Sequence, residues 1–192
     1  MTLLILGLIV FLGAHSIRIF ADGWRSTMIG RLGENGWKGT HAVVSLLGLV
    51  LIVIGYGAAR GEPVVLWQPP VWTRHVASLL TLPAFILLAA AYVPGNRIKT
   101  AVGHPMVAGV KLWAFSHLIS NGMLADLLLF GSFLAWAIAD FISSRRRDRA
   151  AGVVRSGGTL AATAMTVAAG VIAWAAFAFW LHRVLIGVSP FR

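Results

Sequence analysis

Residues 103–140 read GHPMVAGVKLWAFSHLISNGMLADLLLFGSFLAWAIAD, and this stretch decides the fold. It is almost wholly apolar, and the Asn121-Gly122 pair divides it as a tight turn between two antiparallel helices does. Pro105 suits the first position of a helix, because the N–H that proline lacks has no partner there. The pattern therefore predicts one helix over residues 105–120 and a second helix from residue 123 onward.

The composition of the chain places it in a membrane. Of its 192 residues, 58% are hydrophobic and 11% are charged, and the mean hydropathy is +0.84. A soluble domain needs more charged surface, so we expect an all-α fold, a polytopic transmembrane helical bundle. Because the sequence contains no cysteine, disulfides, thiolate catalysis, iron–sulfur clusters and cysteine-ligated zinc sites are excluded.

Six apolar segments have about the length of a membrane span, for which ~20 residues are needed. They cover residues 2–20, 39–59, 75–93, 105–120, 123–143 and 159–187. No internal repeat divides the chain, so residues 1–192 are expected to form a single integral membrane domain. The apolar start lacks a basic segment and a small-residue cleavage site, which favours a first span over a removed signal peptide.

Lysine and arginine are unevenly distributed between the connections of this six-span arrangement. One side receives Arg18, Arg25, Arg31, Lys38, Arg97, Lys99, Arg145, Arg146, Arg147, Arg149 and Arg155. The other side receives Arg60, Arg74, Arg183 and Arg192. The positive-inside rule predicts that the first group is cytoplasmic and that both termini are periplasmic. The net charge of +10 is then explained by topology and anionic lipid, and nucleic acid is not an expected partner.

Six histidines are the candidate metal ligands, because the few carboxylates lie mostly at the ends of the spans. His15 and His117 lie deepest, and two histidines on facing helices can hold a haem iron from both sides. An interhelical hydrogen bond is the alternative interpretation of each. His104 precedes Pro105, where capping of the helix is the alternative. Asn121 and Asp126 are candidates to bond the turn backbone.

The expected depths of these histidines leave the choice of ligand pair open. His15 lies ~8 Å from the cytoplasmic end of its span, and His117 lies ~20 Å beyond His104. His15 and His117 would therefore differ in depth by ~10 Å. His15 with His104, or His75 with His117, are depth-matched alternatives. His41, His75 and His182 lie near span ends, where an imidazole can reach headgroups or water.

Several segments resemble the NnrU family of bacterial membrane proteins, which includes relatives of the plant zeta-carotene isomerase. They are LGAHSIRIFADGWR, RLGENGWKG, LLTLPAFILLAAAYVPG, GHPMVAGVKLWAFSHLISNGMLADLLLFGSFLAWA and HRVLIGVSP, and together they extend along nearly the whole chain. The resemblance implies a multi-pass protein of the bacterial inner membrane. It also implies an association with denitrification, in nitrite and nitric oxide metabolism, without a settled biochemical activity.

The isomerase branch of this resemblance implies a b-type haem. Its two haem-ligating histidines map onto His15 and His117, which makes these the metal ligands. Its HP…W…H…N pattern adds His104, Trp113 and Asn121 to the candidate cofactor-binding residues. The isomerase is thought to exchange an axial ligand through a cysteine, where this chain has Ala114. The isomerase reaction is therefore not carried over, and the catalytic residues stay unassigned.

Two functions are expected from these observations. The first is a haem-binding membrane protein associated with denitrification, with a redox or isomerase-type activity on a lipophilic substrate. In it, Arg18, Arg25 or Lys38 would lie near the haem propionates. The second is a cofactor-free scaffold or transporter that assists assembly of nitrogen-oxide reductases. The candidate partners are the lipid bilayer, haem, reductase subunits and a second copy of the chain. The pattern HP-x₃-G also resembles membrane isoprenylcysteine methyltransferases, but no Asp or Glu follows Asp148 to hold their cofactor.

Overall fold

Helices make up most of the computed structural model, which describes residues 1–191. They are α1 (Thr2–Phe20), α2 (Asp22–Gly61), α3 (Trp72–Tyr92), α4 (Arg97–Val102), α5 (Pro105–Ser120), α6 (Leu124–Ala150), α7 (Leu160–Ala176) and α8 (His182–Ile186), with a π-helical turn (Phe177–Leu181) between α7 and α8. Within residues 1–191 two isolated β-bridges form and no longer strand does. The predicted all-α class is confirmed.

The six long elements form a row in which each packs against its neighbours. α1 packs against α2 and α6, α5 lies between α3 and α6, and α7 covers the other side of α3. The contact between α1 and α2 is close because glycines lie in it. A Cβ atom added at Gly7 or Gly55 would meet backbone atoms of the opposite helix.

The connections gather at two opposite ends of the bundle. At one end, the N–H groups of Leu66 and Leu124 donate to the carbonyl oxygens of Gly122 and Val64, each over 2.8 Å. At the other end, the N–H of Thr159 donates to the carbonyl of Gly95 over 2.9 Å. We call this second end the basic end, because it carries Arg18, Arg97, Lys99, Arg145, Arg146, Arg147, Arg149 and Arg155.

The predicted number of spans agrees with this arrangement. Within the described residues 1–191, five helices are long and apolar enough to cross a membrane. α5 is the remaining predicted segment, and its bounds, Pro105–Ser120, are those expected. With 16 residues it is ~24 Å long, somewhat shorter than a hydrocarbon core of ~30 Å. It still runs from the basic end to the opposite end, so about six passes are formed.

Two predicted boundaries differ from the structure by more than a few residues. The second span was expected from residue 39, but α2 begins at Asp22, because the polar segment before residue 39 is also helical, with a break at Gly33 (φ 72°). The fifth span was expected to end at residue 143, but α6 continues to Ala150. Arg147 stabilises this extension by donating to the hydroxyls of Ser143 and Ser144, each over 2.7 Å. The bounds of the sixth segment, 159–187, agree with the structure: it comprises α7, the π-helical turn and α8, and α8 ends at Ile186 before Gly187 (φ 78°).

Large apolar side chains cover the outside of the bundle. Ile9, Val53, Leu79 and Ile172 are each more than 60% exposed. Small residues such as Ala114 and Ala137 are fully buried between the helices. This distribution is expected of a protein that is surrounded by lipid, and it supports a multi-pass membrane protein.

Candidate functional site

The first predicted ligand, His15, is oriented by its own helix. Its Nδ1 lies 2.7 Å from the carbonyl oxygen of Phe11, one helical turn earlier. A carbonyl can only accept, so Nδ1 carries the ring proton and Nε2 keeps its lone pair. The ring stacks on the Phe11 ring, with 4.3 Å between centroids. The lone pair on Nε2 of His15 is therefore the one that could bind a metal.

The second predicted ligand, His117, repeats this arrangement on α5. Its Nδ1 lies 2.8 Å from the carbonyl oxygen of Trp113, again four residues earlier. Its ring stacks on Phe130 of α6, with centroids 4.6 Å apart. The same argument leaves the lone pair on Nε2. Hydrogen bonding to a carbonyl is also how proteins usually fix the orientation of a histidine that binds a metal.

Aromatic side chains connect the two histidines. The Phe133 ring lies 5.7 Å from Phe11 and 5.6 Å from Trp113, and Trp113 lies 5.3 Å from His117. We call His15, His117 and the side chains Phe11, Trp113, Phe130, Phe133 and Trp136 the histidine–aromatic cluster. It lies between α1, α5 and α6, and its members around the two histidines are all aromatic.

The two histidines lie at different depths in this cluster. His15 contacts α6 at Trp136, with ring centroids 5.9 Å apart, whereas His117 contacts α6 at Phe130. Six residues of helix separate these two contacts, which corresponds to ~9 Å along the axis of α6. The separation is close to the ~10 Å that the sequence predicts from the rise per residue. The structure places both histidines in one cluster but not opposite each other.

Trp136 contributes a polar group that has no partner. Its indole Nε1 is buried and makes no hydrogen bond within the described residues. Buried indole N–H groups usually find an acceptor. The ring stands edge-on to His15, at an interplanar angle of 87°. An unused donor therefore lies beside a candidate metal ligand, and a bound molecule with an oxygen acceptor would satisfy it.

His41 was assigned a minor role from the sequence, and the structure brings it next to His15. Their ring centroids lie 5.0 Å apart, at an interplanar angle of 70°. Trp37 follows on the far side of His41, with centroids 6.2 Å apart. The contact depends on how α1 and α2 pack, and the glycines at that interface were the signal in the sequence that could have predicted it.

His104 lies outside the cluster, at the basic end. Its Nε2 is 2.7 Å from Asp148 Oδ2, and the same carboxylate accepts from the Arg155 guanidinium. The hydrogen bond from Arg155 is the main reason that the pKa of Asp148 lies below its usual value, and His104 adds to this. His104 is the N-cap residue of α5, but its side chain makes no capping bond. His104 therefore lies at the predicted capping position, but its side chain pairs with Asp148 and does not cap the helix.

Asn121 and Asp126 stabilise the turn between α5 and α6, as the sequence predicts. The Asn121 side-chain amide donates to the carbonyl of His117 over 2.9 Å. Asp126 Oδ2 accepts from the N–H of Met123 over 3.1 Å. Asn121 thus stabilises the last turn of α5, the helix that carries His117. The bond is to the backbone of His117 and not to its imidazole ring.

Neither the His15–His117 pair nor the two depth-matched alternatives brings its imidazoles into contact within residues 1–191. Within residues 1–191, His15 with His104 and His75 with His117 make no ring contact, and no group of three or more His, Asp or Glu residues is placed to hold a metal ion. His182 is hydrogen-bonded through Nδ1 to the carbonyl of Val188, over 2.7 Å. The cluster therefore offers isolated imidazoles and not a preformed polydentate metal site.

Comparisons with known proteins give one match. The family model described as NnrU protein matches residues 3–190, which is nearly the whole chain. No curated protein and no solved structure matches the chain.

Proposed function

The chain belongs to the NnrU family, and from this premise we propose that it is a b-type haem protein of the bacterial inner membrane that serves nitrogen-oxide metabolism. Membership of the family suggests a denitrification-associated membrane protein. The observation that carries the haem proposal is the shared orientation of His15 and His117. In both, a backbone carbonyl holds Nδ1 and leaves Nε2 as a ligand inside an aromatic cluster.

The residues of the cluster fit a haem in their chemistry. Imidazoles are established ligands of haem iron, and the Phe and Trp side chains would give a macrocycle apolar contacts. The unpartnered indole N–H of Trp136 supplies a donor for a polar group. Arg18 at the basic end and Arg25 and Lys38 in the first half of α2 are the proposed partners of the propionates. His15 and His117 lie at different depths in the bundle. For both to bind a single iron, α1 and α5 would have to shift relative to each other.

In this proposal the chain performs binding and orientation. Bound haem supplies one-electron chemistry. His15 and His117 would hold the iron, and the carbonyls of Phe11 and Trp113 accept from Nδ1 and so direct Nε2 of each ring to the iron. The aromatic side chains exclude water from the cluster. A redox or isomerase-type reaction on a lipophilic substrate is the activity that such a site would support.

Absorption spectroscopy tests the haem proposal. The full chain is expressed in haem-replete cells, purified in detergent and measured oxidised and after dithionite reduction. A Soret band with sharp reduced α and β bands, at about one haem per chain, is the expected result. A flat visible spectrum that stays flat after haem is added would overturn the proposal.

A second candidate function is a cofactor-free scaffold or transporter that assists assembly of nitrogen-oxide reductases. The contact between His15 and His41 favours it, because both imidazoles are already packed against protein side chains. Its proposed partners are reductase subunits and a second copy of the chain. Co-purification of a reductase subunit with the tagged protein from membranes of a denitrifying cell supports this function, and isolation of the chain alone counts against it.

A further inference from the structure

A cavity of about 140 Å³ opens at the basic end, apart from the histidine–aromatic cluster. Its lining consists of Arg145, Asp148, Arg149, Gly152, Val153 and Arg155. We call it the arginine cavity. It lies where α6 ends and the connection to α7 turns back. Three of its six lining residues are arginines, and only one is acidic.

The arginines converge on this cavity from two segments. Arg145 and Arg149 are four residues apart on α6 and therefore share one face of the helix. Arg155 reaches back from the connection and pairs with the Asp148 carboxylate. A Cβ atom added at Gly103 would lie 3.0 Å from the Arg155 guanidinium and 3.2 Å from Nη1 of Arg145. Gly103 thus lets two guanidinium groups approach the same point.

The charges around the arginine cavity do not balance. Asp148 is the one acidic lining residue, and it already accepts from Arg155 and from Nε2 of His104. The guanidinium groups of Arg145 and Arg149 therefore add positive charge that no carboxylate in the lining offsets. Arginines held this close repel one another unless an anion lies between them. The planar guanidinium fork matches the oxygens of a phosphate group.

We propose that the arginine cavity binds a phosphate group, supplied by the headgroup of an anionic phospholipid. Arg145 and Arg149 donate to the phosphate oxygens, and Asp148 holds Arg155 in place beside them. The basic end is the cytoplasmic end by the positive-inside rule, and anionic headgroups lie at that surface. A free phosphate ion shares this chemistry and is the alternative source. The inference goes beyond the proposed function and does not depend on haem.

Charge-removing variants at neighbouring arginines test this proposal. Arg149→Gln removes an exposed side chain of the lining, and Arg145→Gln removes a more buried one. Arg146→Gln is the matched control, because Arg146 is exposed on the same helix and does not line the cavity. The purified full chain in neutral detergent is titrated with phosphatidylglycerol, phosphatidylcholine or inorganic phosphate. The unfolding temperature is measured at each concentration.

Phosphatidylglycerol is expected to raise the unfolding temperature of the wild type and of Arg146→Gln. In Arg149→Gln the half-saturating lipid concentration is expected to rise about tenfold, the effect of losing one charge-assisted contact. If inorganic phosphate raises the unfolding temperature in the same way, and Arg149→Gln weakens this effect, the site is supported and free phosphate is identified as the source. Equal responses of Arg146→Gln and Arg149→Gln, or no response of the wild type to any of the three probes, would overturn the proposal. Arg149→Gln alone decides if Arg145→Gln does not fold.

Discussion

The hydroxyl of Tyr56 donates to Asp126 Oδ1 over 2.6 Å and thereby joins α2 to the first turn of α6. Asp126 is 3% exposed, and its other oxygen accepts from the N–H of Met123. A buried carboxylate is tolerated only when its oxygens are hydrogen-bonded. The pair therefore links the α1–α2 hairpin to the turn that orients the helix of His117.

Tyr56→Phe is expected to destabilise the protein by about 1–3 kcal/mol, because it leaves a buried carboxylate oxygen without its donor. The measurement is the free energy of unfolding in a mild detergent. Tyr92→Phe is the control. Tyr92 is 75% exposed, so removal of its hydroxyl should change the free energy of unfolding little. Equal stabilities of the two variants would show that the bond to Asp126 contributes nothing.

The close packing of α1 on α2 gives a second prediction. A Cβ atom added at Gly55 meets the backbone of Leu3 and Leu4, whereas one added at Gly57 meets nothing within 4 Å. Gly55→Ala should force the two helices apart and cost about 1–3 kcal/mol. Gly57→Ala on the same helix should be neutral or stabilising by up to about 1 kcal/mol. Thermal unfolding of both variants checks this, and a stable Gly55→Ala would contradict the packing.

Because hydrogen bonding to Arg155 lowers the pKa of Asp148, stability should depend on pH. A carboxyl group whose pKa is lower in the folded state stabilises the protein above its unfolded pKa, and the contribution is lost as the pH falls through the folded pKa. Asp148→Asn should therefore be less stable than the wild type at neutral pH. The difference should begin to shrink as the pH falls below about 4, the ordinary pKa of an aspartate, and should be lost as the pH falls through the lowered pKa of the folded state. Unfolding temperatures measured from pH 3 to pH 8 test this.

Glu34→Gln is the matched control for the pH series. The pKa of Glu34 is also lowered, by a hydrogen bond from Lys38, but the pair is exposed. Solvent screens such pairs, so the variant should unfold at nearly the wild-type temperature at every pH. A pH profile of Asp148→Asn that matches that of Glu34→Gln would show that the contacts of Asp148 at the basic end do not stabilise the fold.

Local signals explain which parts of the fold could be predicted from the sequence. α5 was predicted at both ends, because Pro105 and the Asn121-Gly122 pair mark its limits within the chain itself. The start of α2 was missed, because its first turns lie before the apolar segment and continue through a glycine break at Gly33. The end of α6 was missed because its last turns, residues 145–150, are polar and contain four arginines.

The candidate site was predictable in its residue types but not in its contacts. His15 and His117 were found because imidazoles in apolar helices are unusual. The neighbour of His15 is His41, and that contact follows from the tertiary packing of α1 on α2. The unpartnered N–H of Trp136 and the return of Arg155 to Asp148 likewise depend on residues far apart in the chain.

The central claim is tested most directly by the haem spectra of three alanine variants of the purified protein. His15→Ala and His117→Ala remove the two proposed ligands, and His75→Ala removes a histidine near the start of α3, outside the cluster. A reduced bis-histidine spectrum is expected in the wild type and in His75→Ala, with the bands lost or shifted in both other variants. Identical spectra in all four proteins, or no haem in any of them, would contradict the central claim.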